Sequence, residues 1–119
     1  MLTIHLAMPP STNAIWRSTV GKHGKPRVYR AKAYAAWMHT AAWTVKTAVI
    51  KSGQIKGDVR VTVHFWPRQG DLDNRLKAVC DSLVQGGAIE DDSKIVDLRA
   101  VWNNWDGVPS PAYVMVEAA

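Results

Sequence analysis

The residues with the clearest chemical potential are the carboxylates crowded between positions 71 and 97. Seven of the ten acidic residues of the chain lie in this interval. Asp71 and Asp73 are two positions apart, so in an extended segment their side chains project to the same side. A second acidic group, which includes Asp91 and Asp92, follows later in the interval. Carboxylates this close repel one another and stay ionised only if a cation or a positive side chain compensates them, so a cation site is one interpretation of the pattern.

The ligand types narrow the chemistry of that site. A set of oxygen ligands favours a hard divalent cation such as Mg²⁺, for which Mn²⁺ can substitute, and the His and Cys spacings of zinc sites are missing from the sequence. Such an ion assists phosphodiester hydrolysis by activating water and neutralising charge. Lys77, four residues after Asp73, could add a positive donor toward the phosphate or the leaving oxygen. The segment therefore indicates metal-assisted phosphodiester hydrolysis.

A purely structural interpretation of the same carboxylates stays open. Asp73 could serve only as a helix N-cap, Asp71 could only complement the helix dipole, and Asp91-Asp92 could form an ordinary solvated turn. The charge distribution favours the functional interpretation. Residues 1–60 contain ten Lys or Arg and one acid, for a net charge of +9, whereas residues 61–119 carry −4 and the whole chain +5. A basic half beside an acidic cluster is typical of combined phosphate and metal binding.

The basic half contains a stretch, residues 17–32, with no acidic residue at all. We interpret it as a phosphate-contacting segment, which would set the affinity and the salt dependence of binding rather than sequence preference. The alternative is a solvated surface loop. The candidate phosphate contacts, including one from the acidic half, are Arg17, Lys22, Lys25, Arg27, Arg30, Lys32 and Arg68.

Hydrophobic periodicity predicts the elements that position these residues. Helices are expected over residues 31–50 and 74–85, the second capped by Asp73 and ended by Gly86-Gly87. Strands are expected over residues 3–7, 59–66, 95–102 and 112–116, with residues 11–30 as a long loop. The order β-α-β-α-β-β predicts an α+β fold: one two-layer domain, residues 1–119, with a mixed β-sheet and two main helices.

Length and composition limit the class of protein. A chain of 119 residues is long enough for one core and too short for two. It has no apolar run long enough to cross a membrane, and its N-terminus does not read as a signal peptide. The single cysteine, Cys80, is expected to be a small buried hydrophobe. These features predict a reduced, cytoplasmic protein.

Two motifs resemble those of the RusA family of Holliday junction resolvases. The first is GDLDNRLKAVCDSL, followed by EDDSKI, which matches the family pattern D-x-D-N-x-x-K-x-x-x-D-x-L and then D-D-x-x-[IV]. The second is MPPSTNAIWR, which is similar to the family's P-P-S-x-N-x-x-[YW]-R opening. The resemblance covers nearly the whole chain. Family members often have a basic residue before the first aspartate, where this chain has Gly70, and Arg68 is the nearest basic residue in the sequence.

The resemblance implies a homodimeric, Mg²⁺-dependent endonuclease that nicks four-way DNA junctions symmetrically on two strands, in recombination and repair. It implies no membrane and no small-molecule substrate. Its catalytic residues would be Asp71, Asp73, Asp92 and Lys77, and its metal ligands would be the three aspartates together with Asp91. Two alternatives remain: a metal-dependent nuclease acting on other branched DNA, and a DNA-binding protein without catalytic activity.

Overall fold

The structure is a computed structural model that describes residues 1–11, 16–20, 26–30, 32–103 and 110–119, with backbone alone in the second and third ranges. Six strands and two α-helices occur in the described ranges. In chain order they are β1 (Leu2–Leu6), β2 (Trp16–Val20), β3 (Pro26–Arg30), α1 (Lys32–Ser52), β4 (Val59–Phe65), α2 (Leu76–Gln85), β5 (Ile95–Trp102) and β6 (Ala112–Ala118). Single 3₁₀ turns, Asp73–Arg75 and Asp92–Lys94, precede α2 and β5.

The main sheet has the strand order β1-β6-β4-β5. β4 is parallel to β5 and antiparallel to β6, which also pairs with β1 in antiparallel fashion. Alternate residues of β4 are fully buried, as expected for a strand with one face against the core. Because parallel strands need a crossover connection, α2 links β4 to β5. The segment before α2 leaves the C-terminal end of β4, and the segment after α2 enters the N-terminal end of β5. In a parallel pair these two ends lie at opposite edges of the strands.

The helices cover one face of the sheet. α1 buries Tyr34, Met38, Ala41 and Val45 at spacings of three and four residues. At Gly86, directly after α2, a Cβ atom would lie 2.5 Å from side-chain atoms of Val45. Only glycine fits this close approach of α2 to α1, and overpacking of this kind typically costs about 1–3 kcal/mol.

The predicted α+β class, with a mixed sheet and two main helices, is confirmed. The predicted 95–102 strand matches β5, and the other predicted strands and the first helix are correct to within two residues at each end. In the described part of the chain, no helix combines the length and the apolarity that crossing a bilayer requires.

Two predictions about local structure are wrong. Residues 11–30 are not a continuous loop, because β2 and β3 form a separate antiparallel hairpin within them. Charged and polar residues interrupt the apolar alternation there, so the periodicity gives no strand signal. Asp73 is not the N-cap of the second helix. It begins a 3₁₀ turn, and the caps of that turn and of α2 are Leu72 and Arg75, neither of which makes a side-chain capping bond.

Candidate functional site

The two sequence motifs meet at Arg75, in the turn that precedes α2. Its Nε donates to the carbonyl oxygen of Gln69 at 3.1 Å, and its Nη1 donates to the carbonyl oxygen of Pro9. Trp37 of α1 also donates to the Ala7 carbonyl at 3.1 Å. The N-terminal segment therefore makes hydrogen bonds to both helical regions: Ala7, directly before the motif, bonds to Trp37 of α1, and Pro9, within it, bonds to Arg75. Sequence reasoning missed Arg75, although its place inside the acidic motif was an available signal.

Arg75 also clarifies the departure at Gly70. Gly70 has a φ of +62°, in the left-handed region that favours glycine. A Cβ atom on Gly70 would lie 3.8 Å from Nη2 of Arg75. A positive side chain therefore lies beside this turn even though residue 70 carries no charge. Arg68, the nearest basic residue in the sequence, is exposed.

Asp71 and Asp73 lie at the start of the helical segment. Both side chains are exposed, and Oδ2 of Asp71 accepts a hydrogen bond from Nδ2 of Asn74 at 3.3 Å. The N-terminal end of a helix has a partial positive charge, which stabilises carboxylates at this place. Asn74 restricts the orientation of the Asp71 carboxylate, which gives a physical role to an asparagine that the motif contains.

Lys77 and Asp81 lie further along α2. Nζ of Lys77 is 3.5 Å from Oδ2 of Asp81, an ion pair between residues four positions apart. The same Asp81 oxygen accepts a hydrogen bond from the hydroxyl of Tyr34, at 3.1 Å. Because Tyr34 belongs to α1, the acidic motif is connected to the first helix by a polar contact as well as by packing.

The second acidic group forms the turn before β5. Oδ2 of Asp91 accepts hydrogen bonds from the hydroxyl of Ser93 at 2.6 Å and from its backbone N–H at 3.3 Å. These bonds hold the pKa of Asp91 below its usual value. Oε1 of Glu90 accepts from the Gly57 N–H at 2.6 Å, which ties the turn to the segment before β4. Asp92, the first residue of the 3₁₀ turn, is exposed.

Cys80 shows that the charge of Asp92 reaches α2. Burial, followed by the negative charges of Asp81 and Asp92, raises the pKa of the Cys80 thiol to about 11. The thiol therefore stays protonated at neutral pH and is a poor nucleophile. Its side chain is half-buried, not fully buried as the apolar stripe predicted. The turn that carries Asp92 also packs against α2.

The predicted metal ligands lie in the two segments that flank α2 in the chain. Asp71 and Asp73 precede the helix, Asp91 and Asp92 follow it, and the charge of Asp92 contributes to the raised pKa of Cys80 within the helix. Among the residues that the structure describes, no three His, Cys, Asp or Glu side chains form a ready-made metal cluster. The shared role of Asp71, Asp73, Asp91 and Asp92 as ligands stays a prediction.

The candidate DNA contacts are placed less completely. Lys32 is exposed in the first turn of α1. In the hairpin, Arg17 lies in β2, while Arg27 and Arg30 lie in β3. Lys22 and Lys25 lie outside the described residues. The basic stretch thus includes a hairpin that leads directly into α1, and its contact with DNA stays a prediction.

A family model and individual relatives identify the same family for this chain. A family model described as Endodeoxyribonuclease RusA matches residues 7–117. A protein of Escherichia coli strain K12 named crossover junction endodeoxyribonuclease RusA is 32% identical over 101 residues, which are 83% of this chain and 80% of that protein. A protein of the same name from Enterobacteria phage 82 is 30% identical over 105 residues, 85% of this chain and 83% of that protein. The region matched by the family model includes every predicted site residue.

Proposed function

The chain belongs to the RusA family of endodeoxyribonucleases, and from this premise we propose that it resolves four-way (Holliday) DNA junctions. The proposed reaction is Mg²⁺-dependent hydrolysis that makes paired, symmetric nicks during recombination and repair. Two relatives, from Escherichia coli and Enterobacteria phage 82, are named crossover junction endodeoxyribonucleases, which supports the choice of substrate.

One structural observation carries the proposal beyond the family relationship. The polar residues of the acidic motif follow one another from the start of α2 to its middle: Asp71 with Asn74, then Lys77 with Asp81, with the charge of Asp92 acting on Cys80 between them. This arrangement supports a site in which negative groups hold a cation and Lys77, paired with Asp81, contacts phosphate. Both are needed for phosphodiester hydrolysis.

The donor chemistry of the aspartates fits a hard divalent cation. Asp71, Asp73 and Asp92 are exposed carboxylates, and none forms an ion pair with a residue in the described ranges. We propose that these three, with Asp91, would hold Mg²⁺ or Mn²⁺. Their exposure leaves the carboxylate oxygens accessible to an ion, although among the described residues no ready-made cluster of three is formed. When bound, the ion would stabilise charge developing on the phosphate and favour ionisation of the attacking water.

Lys77 is the proposed positive donor of the site. Its side chain is 57% exposed, so its ammonium group can reach a bound DNA strand. A lysine at this place would donate to a non-bridging phosphate oxygen or to the leaving oxygen as negative charge accumulates there. Arg75 is engaged with two backbone carbonyls, which leaves Lys77 as the better candidate for this role.

The basic hairpin and the start of α1 are the proposed DNA-positioning surface. Phosphate contacts from Arg17, Lys22, Lys25, Arg27, Arg30 and Lys32, with Arg68, would dominate the affinity. Replacing Arg27 and Arg30 together by Ala should weaken junction binding and reduce the slope of log K against log salt by about 0.9 per lost contact. An unchanged slope would remove these two residues from the interface.

A homodimer is the proposed functional assembly. A four-way junction has approximate twofold symmetry, and a twofold dimer with one site per subunit would cut two strands at equivalent positions. Sedimentation of the protein with and without a junction, at matched concentrations, tests this assembly directly.

The decisive experiment for the proposed function compares substrates under matched conditions. A labelled four-way junction and a linear duplex with the same arm sequence are incubated with the protein, in Mg²⁺ or in EDTA. Selective, Mg²⁺-dependent nicking of the junction is expected. Equal cleavage of both substrates would favour a nuclease with another target, and binding without any metal-dependent nick would favour a DNA-binding protein.

A further inference from the structure

A buried tyrosine of α1 contacts a carboxylate of the acidic motif on α2. Tyr34 is 1% exposed and packs with Met38 and Ala78, in a small cluster that joins α1 to α2. Its hydroxyl donates to Oδ2 of Asp81 at 3.1 Å. Because the ring is buried among residues of both helices, the hydroxyl is a fixed donor. The position of the Asp81 carboxylate is therefore set by the packing between the two helices.

The same carboxylate oxygen faces Lys77. The Nζ atom of Lys77 lies 3.5 Å from Oδ2 of Asp81. The Lys77 side chain is 57% exposed, whereas that of Asp81 is only 26% exposed. A lysine side chain has many accessible rotamers and loses entropy when it is ordered. A nearby carboxylate that is itself held in place reduces the number of positions that the ammonium group samples.

We infer that Asp81, anchored by the Tyr34 hydroxyl, is a positioning residue that holds the Lys77 ammonium group at the acidic side of α2. This inference rests on the proposed catalytic role of Lys77. It goes further by connecting the core of the protein to the reacting phosphate: Tyr34 orients Asp81, and Asp81 orients Lys77. Neither Tyr34 nor Asp81 needs to touch DNA for this role.

Two substitutions at Asp81 distinguish the effect of the side chain's negative charge from the effect of its shape. In Asp81→Asn the amide oxygen can still accept from Tyr34, but the charge that attracts Lys77 is lost. In Asp81→Glu the charge is kept on a longer side chain. We expect Asp81→Asn to slow single-turnover, Mg²⁺-dependent junction cleavage by about 10-fold, the scale of loss typical for groups that orient a reacting residue. Asp81→Glu should recover most of this loss.

Substitution of Tyr34 tests the anchor. Tyr34→Phe removes one hydroxyl without changing the packing of the ring, and we expect a loss of about 5-fold in the cleavage rate. The matched control is Tyr113→Phe, which removes the hydroxyl of a half-buried tyrosine of β6 and should leave the rate unchanged. In every variant the dissociation constant for the junction, measured in EDTA, and the thermal unfolding midpoint show whether binding and folding are retained.

The outcomes distinguish this inference from the proposed function. If Lys77→Ala loses cleavage while Asp81→Asn and Tyr34→Phe cut at the wild-type rate, the positioning role is wrong and the proposed function stands. If Asp81→Glu is as slow as Asp81→Asn, or if the rate falls only in proportion to junction affinity, the role is also wrong. If Lys77→Ala itself cuts normally, both the inference and the proposed role of Lys77 fail. Should Asp81→Asn not fold, Tyr34→Phe alone decides the question.

Discussion

Two acidic regions of this protein differ in whether their carboxylates have positive partners within the described residues. On the main sheet, Asp97 of β5 and Glu117 of β6 flank Arg60 of β4, with Arg99 beside them; we call these four residues the sheet network. Nε of Arg60 donates to Asp97 at 2.8 Å, and its Nη1 lies 3.6 Å from Glu117. The hydrogen bond from Arg60 holds the pKa of Asp97 below its usual value. Every acid in the sheet network therefore has a guanidinium partner.

The acidic motif at α2 is different. Its one ion pair within the described ranges joins Lys77 to Asp81, and Asp71, Asp73 and Asp92 pair with no described cationic side chain. In the sheet network the chain supplies its own counter-charge, and the carboxylates stabilise strand pairing. At α2 these three carboxylates have no such counter-charge among the described residues, and they are the ones that we propose as ligands of an external cation. The comparison therefore contrasts carboxylates that have a partner within the protein with the proposed cation ligands.

The largest difference in cleavage rate is expected between two variants that each neutralise one carboxylate, one at α2 and one in the sheet network. Asp71→Asn should reduce junction cleavage by at least about 100-fold, because it removes a proposed ligand of the ion that stabilises the reaction. Junction binding should be unchanged or tighter, since a negative charge near phosphate is lost. Asp97→Asn makes the same change in net charge and should cut at the wild-type rate. Single-turnover cleavage and equilibrium binding measure both, and normal cutting by Asp71→Asn would refute its assignment as a ligand.

A smaller effect is expected for the amide that orients Asp71. Asn74→Ala removes the hydrogen bond to Oδ2 of Asp71 and should slow cleavage by about 10-fold, with the unfolding midpoint nearly unchanged. Asn103, at the end of β5, is the contrasting amide: it is buried and contacts Nδ1 of His64 at 3.3 Å. Asn103→Ala should lower the unfolding midpoint and leave the cleavage rate of the folded protein unaffected. The reverse pattern would contradict the comparison.

The charge of Asp92 near α2 can be measured through Cys80. Because the pKa of this thiol is raised to about 11, its reaction with iodoacetamide should be slow near neutrality and should accelerate only in strongly alkaline solution. Asp92→Asn removes one cause of the raised pKa, so alkylation should become a few-fold faster. Asp97→Asn should have no effect on this rate. Equal alkylation rates in the wild type and Asp92→Asn would show that Asp92 does not act on Cys80.

The smallest effect concerns stability and its dependence on pH. A lowered pKa in the folded state means that Asp97 stabilises the fold above the usual titration range of aspartate, about pH 4, and that this stabilisation is lost as the pH falls through the folded pKa. Asp97→Asn should therefore lower the unfolding midpoint slightly near neutrality, and the difference from the wild type should shrink in acid. A difference that stays constant down to about pH 2 would exclude this linkage.

Much of the main sheet could be predicted from the sequence because its signals are local. The alternation in Val59–Phe65 and the apolar spacing of α1 depend on neighbours within one element. The hairpin β2–β3 was missed since its strands lack that alternation. The start of α2 was also predicted wrongly: Asp73 has the right residue type for an N-cap, but a 3₁₀ turn comes before the helix. Residue preference alone does not distinguish the first turn of an α-helix from a 3₁₀ turn.

For the site, the sequence by itself determined which residue types are present and how they are spaced along one helix. Lys77 and Asp81, four residues apart, lie on successive turns of α2, since the rise and period of a helix are fixed by backbone geometry, and Asp71 and Asn74 are near neighbours in the segment that precedes it. These local relationships are what the family motif describes.

Only the tertiary structure decided which distant segments complete those relationships. Tyr34 reaches Asp81 across 47 positions, and Arg75 reaches the carbonyl of Pro9 across 66. Contacts of this kind depend on how α1 packs against α2 and on where the N-terminal segment passes. Packing is a property of the whole core and its volume, so no local pattern in the chain specifies it.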